Sequence, residues 1–146
     1  MLVTPNLPRT LLAFDFGTRH IGVAVGQTIT HTATPLDSVS AKDGIPNWAQ
    51  LEKLVNEWQP DAFIVGIPFN MDGSESDMSM RARKFGNRLH GRFNKPWHEM
   101  DERLSSFEAK QWMAEHDKKA HAQRALVDSK AAQLILESWF KQQASR

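Results

Sequence analysis

Residues 62–67 read AFIVGI, six positions without a charged or hydrogen-bonding side chain. A strand of that kind is covered on both faces of its sheet, which makes it central and calls for other layers packed on it. Upstream, residues 10–17 (TLLAFDFG) and 21–26 (IGVAVG) are short apolar runs with β-branched members, and each reads as a strand. A third extended stretch, near residues 31–39, is more polar and holds Pro35, which suits an edge position. These three predict a meander. From Pro46 onward, Trp48, Leu51, Leu54, Val55 and Trp58 recur at the spacing of one helix face, and Pro60 with Asp61 ends that helix.

Gly66 and Pro68 close the central strand, and a loop over residues 69–73 follows. Ser74 is placed to cap a helix whose first turn carries Glu75 and Asp77 and which runs to about Arg92. Residues 97–101 alternate as a strand, and Ser105 with Glu108 forms a capping box for a further helix. After a polar stretch, a last helix starts near Asp128. This order predicts an α/β fold: a single mixed sheet with an antiparallel three-strand meander and helices on both faces. With 146 residues and no repeat or linker, the chain is expected to be a single domain, 1–146, with its core at about 11–140.

No apolar run reaches the roughly 18–20 residues of a membrane span, and residues 1–10 lack a basic start and an apolar signal core. A cytoplasmic location without a membrane partner is the expectation. The absence of Cys excludes disulfides, thiolate metal sites and cysteine nucleophiles, so any metal must be held by oxygen or nitrogen. The net charge of +1 is unevenly spread. Residues 1–75 hold four Lys/Arg against eight Asp/Glu, and residues 76–146 hold fourteen against nine. That asymmetry fits a polyanionic partner, or basic residues on solvated helix faces.

Asp15 stands in a strand among Leu12, Ala13, Phe14 and Phe16, where an uncompensated carboxylate would cost several kcal/mol. A cation could compensate it, and so could hydrogen bonds from the turn that follows. Asp101 and Glu102 end the strand that starts at Trp97. Asp128 falls within about 60° of Ala132, Ile135 and Trp139 around the last helix, in line with its packing face, although an ordinary N-cap would look the same. If the two strands are neighbours and the helix crosses them, three carboxylates converge. About two Mg²⁺ or Mn²⁺ ions would neutralise such a cluster and could drive phosphodiester hydrolysis with water as nucleophile. On the helix after Gly73, Arg81, Lys84, Arg88 and Arg92 project within about 80° of one another, a basic stripe able to meet phosphates. Asn70, in the loop after the central strand, could touch a phosphate or sugar or be a plain turn residue. Arg103 could reach a phosphate or balance the neighbouring acids.

Four segments then carry a resemblance: DFGTRHIGVAVG (residues 15–26), VGIPFNMDG (65–73), DERLSSFEA (101–109) and VDSKAA (127–132). In order and spacing they resemble the motifs of the YqgF/RuvX family over residues 11–140. The resemblance implies an RNase H-like fold and a nuclease, described in that family both as a Holliday junction resolvase and as the enzyme that matures the 5′ end of pre-16S ribosomal RNA. It also implies that the catalytic and metal-binding acids are Asp15, Glu102 and Asp128, with Glu102 rather than Asp101 as the motif's glutamate. Arg19, Asn70, Arg81, Lys84, Arg88 and Arg103 are the expected nucleic-acid contacts, and Mg²⁺ or Mn²⁺ the expected cofactor. Precursor rRNA is the favoured partner. Junction DNA, a non-catalytic role in ribosome assembly, and an actin-like nucleotide-binding strand pair are the alternatives.

Overall fold

The structure is a computed structural model that describes residues 9–104 and 124–144; the side chains of residues 104 and 124–128 are outside that description. Six strands form one sheet: β1 (Thr10–Asp15), β2 (His20–Gln27), β3 (Thr32–Lys42), β4 (Ile45–Pro46), β5 (Ala62–Ile67) and β6 (Trp97–Asp101). Their order across the sheet is β4-β3-β2-β1-β5-β6. The meander β1–β2–β3 is antiparallel, while β5 runs parallel to both β1 and β6. AFIVGI is therefore an inner strand, buried at all six positions. The two-residue β4, which the sequence did not announce, pairs only with the last residues of β3.

Alternation along the strands divides the core in two. Leu12, Phe14 and Phe16 with Phe63, Val65 and Ile67 face α1 (Trp48–Trp58) and α2 (Asp77–Phe93), meeting Leu51, Val55, Ala82, Phe85 and Leu89. Leu11, Ala13, Ala62, Ile64 and Met100 face α3 (Arg124–Ala144), meeting Ala132, Ile135, Leu136 and Phe140. Helices on both faces are thus what the two-sided burial of β5 requires. Among the described residues no helix is long and apolar enough to cross a membrane.

Two helix starts differ from the sequence expectation. Ser74 does not cap α2, because its hydroxyl and amide are both bound to Asp72 Oδ1, at 2.6 and 2.9 Å. Ser76 caps instead and completes a box with Ser79. α3 is described from Arg124 onward, so Asp128 lies inside a helix rather than at its cap. The expected capping box at Ser105 and Glu108 lies outside the described residues.

Candidate metal and nucleic-acid site

Asp15 is the last residue of β1, and its place in the alternation follows Leu11 and Ala13 on the α3 side. Phe14 pairs with Val65, so the parallel register carries Asp15 to the level of Gly66 on β5. On β6, Met100 joins the α3 side while Trp97 packs on the other face, and Glu102 follows Met100 in phase. Its side chain lies over Gly66. A Cβ built on Gly66 would fall 2.8 Å from Glu102 Oε1 and 2.5 Å from Ile135 Cδ1. The missing side chain at residue 66 is what lets a carboxylate from β6's end reach across β5 toward the β1 end that carries Asp15. Both acids are partly buried.

α3 carries the third position at the same end of the strands, above β3 and two strands from β1. Ser129 is buried and its hydroxyl donates to the carbonyl of Leu36. Leu36 pairs with Val23 and Val23 with Phe14, which puts Ser129 level with the residue before Asp15. Asp128 precedes Ser129 on the helix and stands one turn before Ala132, which is fully buried against the sheet. Its carboxylate is outside the described side chains. Among those described, no three His, Asp or Glu gather into a metal-binding group. Carboxylate oxygens are the donors that a hard divalent cation takes, and in donor chemistry the three acids fit one.

Asp101 parts company with Glu102. Its carboxylate is taken by Arg103, through the backbone N–H at 2.9 Å, Nε at 3.1 Å from each oxygen and Nη2 at 2.7 Å. These bonds hold the Asp101 carboxyl below its usual range, and they raise Arg103 in turn. Arg103 Nη1 also reaches the carbonyl of Met71 at 3.4 Å, and its guanidinium lies 5.6 Å from the Phe69 ring centroid. On the expected nucleic-acid contacts, Arg19 and Asn70 are exposed, and Asn70 Nδ2 donates to Ser74 Oγ at 3.0 Å. Asp72 of that loop is held below its usual value by the Ser74 hydroxyl and amide.

The basic stripe stands on the other layer. α2 packs on the α1 side of the sheet, so Arg81, Lys84 and Arg88 are carried on the face opposite to Glu102. Arg81 sits 3.9 Å from a Cβ built on Gly44, beside the loop between β3 and β4. Lys84 and Arg88 are exposed. Arg92 is engaged locally, 4.2 Å over the Trp48 ring and 3.9 Å from Glu52. What the sequence reading missed is Gly66 as the floor of the site and the bonding of Asp101 to Arg103. The signal for the first was a glycine interrupting a wholly apolar strand.

Against known proteins, the model of the RuvX family, described as a Holliday junction resolvase, matches residues 9–142. A protein of Saccharophagus degradans named "Putative pre-16S rRNA nuclease" is 57% identical over 134 residues, 92% of this chain and 94% of that one. One of the same name from Actinobacillus pleuropneumoniae serotype 5b is 55% identical over 137 residues, 94% of this chain and all of its own. Among solved structures, T. thermophilus RuvC in complex with a Holliday junction substrate superposes with a TM-score of 0.55 at 16% identity, covering 94% of this chain and 96% of that one. The similarity to that structure is one of fold, the RNase H-like arrangement of a mixed sheet between helices.

Proposed function

Since the chain belongs to the RuvX family, we propose that it is a metal-dependent nuclease whose substrate is precursor 16S rRNA and whose site is built on Asp15, Glu102 and Asp128. What supports this reading is that Glu102 lies over Gly66 on the face that α3 covers, while the β1 register brings Asp15 to the level of Gly66 on the neighbouring strand. Asp15, Glu102 and Asp128 would hold Mg²⁺ or Mn²⁺. The chemistry supplied by such ions is ionisation of a water near neutral pH and relief of charge on the leaving oxygen. The protein's part is to present hard oxygen donors at a sheet edge, and to exclude competing bulk there by Ile135. Arg19, Asn70 and Arg103 orient the phosphodiester chain. Arg81, Lys84 and Arg88, on the far layer, extend the track for a longer, folded nucleic acid. Such a protein would work in the cytoplasm.

Names of relatives favour rRNA, and the family description favours branched DNA, so the test runs both. Purified protein is incubated with a 16S rRNA precursor fragment and with a four-way DNA junction, in Mg²⁺ and in Mn²⁺. The expected result is cleavage of the RNA at its 5′ side, lost by about 100-fold or more in Asp15→Asn while RNA binding persists. Full activity of Asp15→Asn would overturn the site. Junction cleavage alone would move the substrate to DNA, and tight RNA binding without cleavage in either metal would leave an assembly factor.

A further inference from the structure

Asp101 ends β6 and Glu102 opens the turn that follows, and only Glu102 faces α3. Alternation sends Asp101 to the opposite face from Glu102, so it is not a spare ligand for the same cluster. Its oxygens accept from the backbone N–H and from Nε and Nη2 of Arg103, two residues on, and the turn so closed has Glu102 at its centre. Arg103 extends the connection outward. Nη1 is 3.4 Å from the Met71 carbonyl, and the guanidinium covers one side of Phe69 while Arg83, held by Glu75 and Glu99, covers it at 5.5 Å.

The loop over residues 69–73 is shaped to receive that guanidinium. Gly73 has φ of 89°, and a Cβ there would stand 3.3 Å from Arg103 Nη1. Gly73 N–H donates to Asn70 O, and Asn70 N–H to Ser74 O, both at 2.9 Å, so the loop is closed on itself. At its tip Met71 is 93% exposed. Loop, Arg103 and Asp101 thus form one hydrogen-bonded unit running from the end of β5 to the turn that carries Glu102. The pair is also charge-neutral, which spares Glu102 a second carboxylate's repulsion.

We infer that Asp101 is a positioning residue: through Arg103 it fastens the loop over residues 69–73 to the turn bearing Glu102 and so fixes where the Glu102 carboxylate stands over Gly66. This rests on the reading of Glu102 as a metal ligand given above. Groups that orient a metal ligand from outside its coordination typically contribute 10–100-fold in metal affinity or activity, and Asp101 belongs with them.

The test uses the full chain and the variants Asp101→Asn, Asp101→Ala and Glu102→Gln, with three readouts: Mn²⁺ titration, kcat and KM for cleavage, and amide exchange of Arg103 and Gly73. Asp101→Asn should weaken Mn²⁺ binding and lower kcat by about tenfold, with KM nearly unchanged, and should speed both amides while the rest of the sheet stays protected. Asp101→Ala should do the same more strongly. Wild-type Mn²⁺ affinity and kcat in Asp101→Asn would overturn the inference, as would a loss confined to KM, since that would make Arg103 a substrate contact that Asp101 merely restrains. If Glu102→Gln binds Mn²⁺ like the wild type, the ligand reading itself has failed. Unchanged amides in Asp101→Asn reject the fastening whatever the activity shows.

Discussion

Gly66 decides whether the Glu102 side chain can lie across β5. A glycine inside a strand gives up side-chain packing and adds chain entropy to the unfolded state, so its place in a buried strand needs a return. Here the return is room: Glu102 and Ile135 fill the volume a side chain would take. Gly66→Ala should therefore cost about 1–3 kcal/mol by overpacking, and should lower metal-dependent cleavage beyond what the lost stability explains, because Glu102 Oε1 must move. Urea unfolding gives the first quantity and cleavage under conditions where the variant is fully folded gives the second. Normal activity in a folded Gly66→Ala would show that Glu102 does not act from where it lies. Asp15 was legible in the sequence, since a carboxylate among apolar neighbours asks for compensation. Glu102 was legible only through the family motif. Its separation from Asp101 depends on β6 keeping its phase into the turn, which five residues of strand pattern do not fix.

At the level of elements, strands were easier to read than helix starts. Strand residues announce themselves by burial, and Ala62–Ile67 and Trp97–Asp101 lie where their patterns put them. A cap is chosen by competition between nearby hydroxyls, and composition does not reveal the winner. Ser74 is captured by Asp72, whereas the hydroxyls of Ser76 and Ser79 both donate to the Pro68 carbonyl at the end of β5. Each also accepts the other's backbone N–H. The start of α2 is thereby tied to the strand that floors the site. Ser76→Ala should destabilise the fold by about 1–2 kcal/mol, the upper half of the usual capping range, because a carbonyl loses a donor together with the cap. Ser74→Ala should change stability by less than half as much. A chemical denaturation series on both variants ranks them, and a reversed order would return the cap to Ser74. For α3 the helix itself was expected, near Asp128, and only the cap differs: Asp128 lies inside the helix.

Across the whole molecule, the sheet's two ends do different work. The edge where β1, β5 and β6 finish carries the acids. At the other end α3 is pinned by ring stacking, His98 on Trp139 with centroids 5.1 Å apart and His31 on Phe140 at 5.3 Å. These rings belong to a cleft of about 1120 Å³ that also takes in Arg9 and Ile29. Burial first, and the charge of Arg9 second, push His98 below its usual 6.5, so the folded protein resists protonating it. The unfolded chain has no such resistance. As pH falls through 6.5 the unfolded state takes up the proton first, and stability drops until the lower folded value is passed; above 6.5 neither state is protonated and the effect vanishes. Unfolding free energies measured from pH 7.5 down to pH 5.5 should therefore fall in the wild type, and fall less steeply in His98→Phe, which keeps a ring against Trp139 without a proton to gain. Parallel slopes for the two proteins would assign the acid sensitivity to other groups and leave His98 as packing alone.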